Sequence, residues 1–120
     1  MHTYTQLKAW QKGRLLVKEV FATTPLFPKS ELYGLAAQIK RSAVSITSNI
    51  AEGFGRFSKK EKIQFYYIAV ASINELQNQL LIATESGFLE RNKYLEMDGL
   101  LVEVRMITSG LIRSTKRGLP

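Results

Sequence analysis

The sequence predicts an all-α fold, an up-and-down antiparallel four-helix bundle occupying residues 1–120 as a single domain. Four stretches repeat apolar residues at spacings of three and four, the signature of one helical face. Three short segments rich in Pro and Gly, residues 24–30 (TPLFPKS), 53–58 (GFGRFS) and 87–92 (GFLERN), separate them. No stretch carries a strand signal, and 120 residues with 45% apolar content suffice for one continuous core. Connections of about six residues bring consecutive helices back antiparallel.

The first helix is expected over residues 6–23, where Trp10, Gly13, Val17 and Val20 share a face with Leu16 and Phe21 alongside, while Lys8, Lys12 and Glu19 take the other side. In the second, residues 31–54, the apolar seam reads Leu32, Ala36, Ile39, Ala43, Ile46, Ile50 and Gly53. Its small members invite a close neighbour. Ser42, Ser45, Thr47, Ser48 and Asn49 are mediocre helix formers, so this segment depends on tertiary contacts.

Ser58 followed by Glu61 forms a capping box that starts the third helix, and Gly87 stands where a left-handed C-terminal cap belongs. Tyr66, Ala69, Ile73, Leu76, Leu80 and Ala83 make its core seam. A second seam of Ile63, Tyr67, Val70 and Leu81, interrupted by Asn74 and Gln77, exceeds what a four-helix core needs and is expected to form an oligomer interface. The fourth helix, residues 93–116, carries Tyr94, Met97, Leu101, Val104, Thr108 and Leu111, and residues 116–120 are expected to fray. Gly13 and Gly53 are expected to be packing positions, where a neighbouring helix passes close by.

The chemistry available to this composition is narrow. Without cysteine there is neither a disulfide nor a thiolate site, and the only histidine, His2, lies near the N-terminus, where an exposed side chain is expected. No metal, no cofactor and no catalytic residue is expected. Glu75, among Asn74, Gln77, Asn78 and Gln79, is the one carboxylate in a polar cluster at mid-helix, read as a solvated or subunit-facing stripe. The serines of residues 42–49 have no base to activate them, so close packing explains them better. Gly53-Phe54-Gly55-Arg56 lacks the Lys and Ser/Thr of a phosphate-cradling loop and is a turn. No basic leader and no apolar run long enough for a bilayer appears, so a cytoplasmic protein without membrane contact is expected.

Net charge carries the functional signal. The +7 is confined to residues 1–62, whereas bases and acids balance from Ile63 onward. Lys59, Lys60 and Lys62 crowd the first turn of a helix, where the macrodipole favours acids, so a phosphate-binding patch is expected at Arg56, Lys59, Lys60 and Lys62, with Lys40 and Arg41 some 20 Å away along helix two. Arg113, Lys116 and Arg117 sit at a helix C-terminus, where cations suit the dipole, and are read as structural. The partner expected from this charge is RNA or DNA; Phe54 and Phe57 are the aromatic candidates for stacking. The competing reading is a scaffold that binds protein.

The run Ser48-Asn49-Ile50-Ala51-Glu52-Gly53-Phe54-Gly55-Arg56, preceded by Gly34-Leu35 and by residues 38–46 (QIKRSAVSI), resembles the bacterial four-helix-bundle family encoded in intervening sequences of 23S ribosomal RNA genes. Leu7, Trp10, Gln11 and Lys12, Phe27-Pro28, Ser58-Lys59-Lys60-Glu61, Phe65, Glu75-Leu76 and Gln79-Leu80 extend the resemblance over almost the whole chain. It implies a ring-shaped homopentamer. It also implies kinship with the accessory variability factor of diversity-generating retroelements, whose basic surface engages nucleic acid and a reverse transcriptase. No catalytic residue follows from it. Thr47 departs from the proline common in the family, and the kink that proline would impose is not implied here.

Overall fold

A computed structural model describes residues 3–118; His2 lies outside them. Four helices follow one another, α1 (Lys8–Thr23), α2 (Leu35–Phe54), α3 (Lys59–Glu85) and α4 (Arg91–Lys116), with 3-10 turns at Tyr4–Gln6, Thr24–Leu26 and Lys29–Glu31. There is no strand among the described residues. α1 packs on α2 and α4, and α3 on α2 and α4, which closes the bundle around one core in a molecule of 46 × 24 × 20 Å. All four helices are present as expected.

Local chemistry sets the boundaries. At the start of α3 the Ser58 hydroxyl accepts the Glu61 N–H at 3.1 Å, but the Glu61 carboxylate takes the Ser58 hydroxyl at 3.2 Å, so only half of a reciprocal box forms. α3 ends in a Schellman motif: Gly87 adopts φ 81°, Phe88 N–H reaches the Ala83 carbonyl at 2.8 Å, and Gly87 N–H reaches Thr84 at 3.1 Å. α2 begins at Leu35, not at residue 31. Lys29–Glu31 is a 3-10 turn, and Gly34, at φ −107° and ψ −109°, breaks the helical path before Leu35. α2 then runs unbroken through Thr47, whose hydroxyl donates to the Val44 carbonyl at 3.0 Å.

The core seams of α2 and α3 are buried as the spacing predicts, Leu32 excepted, since it lies ahead of the helix and is only half-buried. In α4 the seam holds from Met97 to Thr108 and then passes to Ile112 and Thr115, leaving Leu111 at the flank. A 3.6-residue turn drifts from a strict heptad by this amount over the helix. In α1 the buried face is Ala9, Gly13, Leu16, Val20 and Thr23. Trp10 and Val17 pack at its edge, and Phe21 is half-exposed.

Small and polar residues of α2 explain why α3 comes close. Ser42 donates to Glu75 at 2.8 Å, Ser45 shares a hydrogen bond with Ser72 at 2.8 Å, and Asn49 donates back to the Ser45 carbonyl. Glu75 is therefore an interhelical acceptor. On the other side of α3, Arg105 donates to Asn74 at 3.2 Å and to Gln77 at 2.8 Å, and Gln77 donates to Asp98 at 2.6 Å. The residues that interrupt the second seam of α3 thus contact α4. Lys12–Glu103 at 3.0 Å and Lys93–Glu19 tie α1 to α4, and the hydrogen bond to Glu19 raises the pKa of Lys93.

Gly53 and Gly13 each lie against a neighbouring helix. A Cβ at Gly53 would lie 2.6 Å from Tyr66 Cε1 and 3.1 Å from the Lys62 carbonyl oxygen, whereas one at Gly13 would lie 3.1 Å from the Thr47 methyl. Tyr66 is fully buried, and burial pushes its hydroxyl up to about 12. Overpacking a buried ring costs about 1–3 kcal/mol, and the helix propensity that alanine gains over glycine returns at most ~1 kcal/mol, so the clash wins at Gly53. Gly53→Ala is expected to lower the melting temperature by roughly 4–8 °C, and Gly13→Leu by at least as much, in a calorimetric scan. An unchanged melting temperature in either variant contradicts the close approach.

Candidate nucleic-acid interface

The α2–α3 connection, residues 55–58, reverses the chain in one tight turn at the end of the bundle where α4 finishes and the N-terminal 3-10 turn begins. The six cations expected to form the patch divide into three kinds there. Lys62 donates to the Phe54 carbonyl at 2.6 Å and lies over the Phe54 ring, 5.3 Å from its centroid. Its charge meets the C-terminal dipole of α2 as well as the N-terminal dipole of α3, so the fold accounts for it. Arg56 is likewise engaged, paired with Glu52 at 3.1 Å and stacked 4.7 Å from the Phe65 centroid, with its Nε buried and unpartnered. Lys59 and Lys60 are exposed at the first turn of α3. Lys40 and Arg41 lie six residues into α2, toward the opposite end, with Lys40 half-buried 5.8 Å from the Phe21 centroid and Arg41 exposed. An open groove of about 490 Å³ between α1 and α2 is lined by Phe21, Lys40, Arg41, Val44, Ser45 and Ser48. The structure does not bring these two cations to the turn cluster.

It brings others. The Lys59 ammonium lies 3.1 Å from where a Gly118 Cβ would stand, which sets the end of α4 beside the start of α3. Arg113, Lys116 and Arg117 therefore share an end with Lys59 and Lys60, and Lys116 donates to the Tyr67 hydroxyl at 2.8 Å. Sequence reading set these three aside because a cation at a helix C-terminus is locally sufficient; the antiparallel topology was the signal that joins them to the patch. Glu52 and Glu61 are the carboxylates at this end among the described residues. At the other end acids such as Glu31, Glu85, Glu90 and Glu96 balance the bases.

Of the two aromatic candidates, Phe54 is half-buried against the core, and Phe57 is fully exposed, at 102%. An open cleft of about 860 Å³ beside the turn is lined by Tyr4, Ser48, Ala51, Glu52, Gly55, Arg56, Phe57 and Glu61. In the second seam of α3, Ile63 and Val70 are half-buried, while Tyr67 and Leu81 are exposed. Ile68 and Ile82 on α3, and Leu95, Val102 and Met106 on α4, are exposed too.

A family model described as 23S rRNA-intervening sequence protein matches residues 5–110. Among solved structures the chain is similar to a protein of unknown function from the S23 ribosomal protein family of Bacteroides thetaiotaomicron, with a TM-score of 0.80, 21% identity, and coverage of 87% of this chain and 97% of that one. At that identity the likeness shows the fold. No curated protein matches. No helix among the described residues is long and apolar enough to cross a membrane.

The division of the cations is open to a stability test. Lys62→Met keeps the aliphatic stem but loses a charged hydrogen bond, and is expected to cost about 1.5 kcal/mol. The double variant Lys59→Ala/Lys60→Ala, at exposed sites, should stay within ~0.5 kcal/mol of the parent in urea unfolding. Equal losses in both would put Lys59 and Lys60 among the structural residues.

Proposed function

The chain belongs to the 23S rRNA-intervening sequence protein family, and from that premise we propose that it is a non-enzymatic, oligomeric accessory protein that binds RNA or DNA through the basic end of its bundle. The observation that carries this reading is the gathering of exposed cations from two helix ends, Lys59 and Lys60 with Lys116 and Arg117, at the end where the surplus charge lies. Surface cations in such number repel one another; a polyanion relieves that repulsion, and binding gains the entropy of the counterions that the cations displace from its phosphates. Nothing at this end is shaped to read a base sequence in a groove, so affinity comes from phosphates and sequence preference is weak. A reverse transcriptase or another protein of a ribonucleoprotein would share the same ligand.

The alternative, a scaffold for protein partners, is favoured by the exposed apolar residues of α3 and α4, and the two readings meet in a homo-oligomer. By the helical period, Tyr67, Leu81 and Ile82 of α3 and Leu95, Val102 and Met106 of α4 fall on the outer side of the α3–α4 pair, and exposed apolar side chains grouped in this way mark an interface. Copies of the chain cover this side in the proposed assembly; the number five comes from the family resemblance alone. Light scattering at tens of micromolar is expected to show a multimer, and Val102→Glu/Met106→Glu should release 13.6 kDa monomers with unchanged helical circular dichroism. A parent protein that is already monomeric removes the oligomer from the proposal.

Nucleic-acid binding is tested by salt. With about four phosphates engaged per subunit, affinity should fall roughly fiftyfold for a single strand, and roughly 150-fold for a duplex, between 50 and 200 mM salt. Lys59→Glu/Lys60→Glu should weaken binding uniformly across sequences and flatten that dependence. If the variant remains folded and binds as the parent does at 50 mM salt, the basic end is not the binding surface and the scaffold reading takes its place.

A further inference from the structure

We propose that the cleft beside the α2–α3 turn receives one unpaired base of a single-stranded nucleic acid, stacked on Phe57, while the adjoining phosphates lie on Lys59, Lys60 and the end of α4. This rests on the nucleic-acid reading above and specifies the form of the ligand. Phe57 is the first ground. A phenylalanine exposed to its full surface gives up the burial free energy of a large apolar side chain, and the tight turn that holds it needs no aromatic ring for its geometry.

The cleft supplies the second ground. It is open, about 860 Å³, with Phe57 and Tyr4 among its walls, and Tyr4 is itself held edge-on to Trp10 at 5.4 Å between centroids. Two aromatic walls suit a planar ring better than a phosphate. The charges lining it agree: Glu52, Glu61 and Arg56, which pairs with Glu52, leave the lining acidic in balance, whereas the exposed Lys59 and Lys60 lie outside it on the first turn of α3. Carboxylates repel a phosphate and accept hydrogen bonds from the amino groups of bases. The base is therefore drawn inward and the backbone held outside, on the cations. A duplex presents its bases already stacked and paired, so it can use the cations but not the cleft.

Fluorescence anisotropy separates the two contributions, using a labelled 12-nucleotide RNA of mixed sequence, alone and annealed to its complement. The single strand is expected to bind more tightly than the duplex. Phe57→Ala, at a fully exposed site, should leave the melting temperature unchanged, weaken the single strand about tenfold and leave the duplex within twofold. Lys59→Glu/Lys60→Glu should weaken both forms. If Phe57→Ala binds the single strand as the parent does while the lysine variant weakens both, the base site is overturned and the basic end stands. If the duplex binds as tightly as the single strand, the base site is overturned as well. A parent that binds neither form overturns both readings together.

Discussion

The contact between Gly53 and Tyr66 is the constraint on which the basic end of the molecule depends. Because position 53 carries no side chain, a fully buried ring can lie against the last turn of α2, with the Lys62 carbonyl close to the same point. Lys62, one turn before Tyr66, then reaches the Phe54 carbonyl and closes the end of α2. Two helices fixed this tightly leave only residues 55–58 to reverse the chain. So short a turn has no interior to fold into, and Phe57 is held outside. The close approach continues along both helices through Ala43, Ser42, Ser45 and Asn49, where hydroxyl and amide groups replace bulk with hydrogen bonds. The same serines that gave α2 poor helix propensity therefore give it its partner.

Legibility of the fold varied with how narrow each apolar stripe is. α2 and α3 have seams flanked by Ser, Asn, Gln and charge, so spacing alone identifies Ile39, Ile46, Ile50, Ile73 and Leu80 as core. α1 carries Leu15, Leu16 and Val17 in succession, and a stripe that wide does not reveal which edge faces inward. Contact with α2 and α4 decides it, in favour of Ala9 and Leu16 over Trp10 and Phe21. The passage from Leu111 to Ile112 is a matter of helical pitch: a rule tied to sevens accumulates error along 26 residues.

The candidate site was legible in part for a related reason. Ser58, Glu61 and the glycines mark the turn in the sequence, and Lys59 and Lys60 follow from their position at its edge. Charge divided along the chain, however, is not charge divided in space. Lys40 and Arg41 belong by number to the basic half but lie away from the turn, and Arg113 to Arg117 belong to the neutral half but lie beside it. Lys62 shows the local version of the same problem. A lysine at the start of one helix looks misplaced until the end of the preceding helix appears next to it. Each of these required knowledge of which ends meet, which follows from antiparallel order once connection lengths are taken seriously.

The surplus of positive charge at one tip of a 46 Å body has a kinetic meaning beyond any single contact. A charge displaced from the centre of mass makes the molecule a lever: the field of a distant polyanion exerts a torque on it before the two surfaces touch. That torque acts within a Debye length of about 10 Å, and over the repeated collisions of one encounter it biases the molecule toward the charged tip. The acid-balanced tip trails and the charged tip leads. Most random encounters between two surfaces are wasted on the wrong orientation, and a molecule that aligns in flight wastes fewer of them.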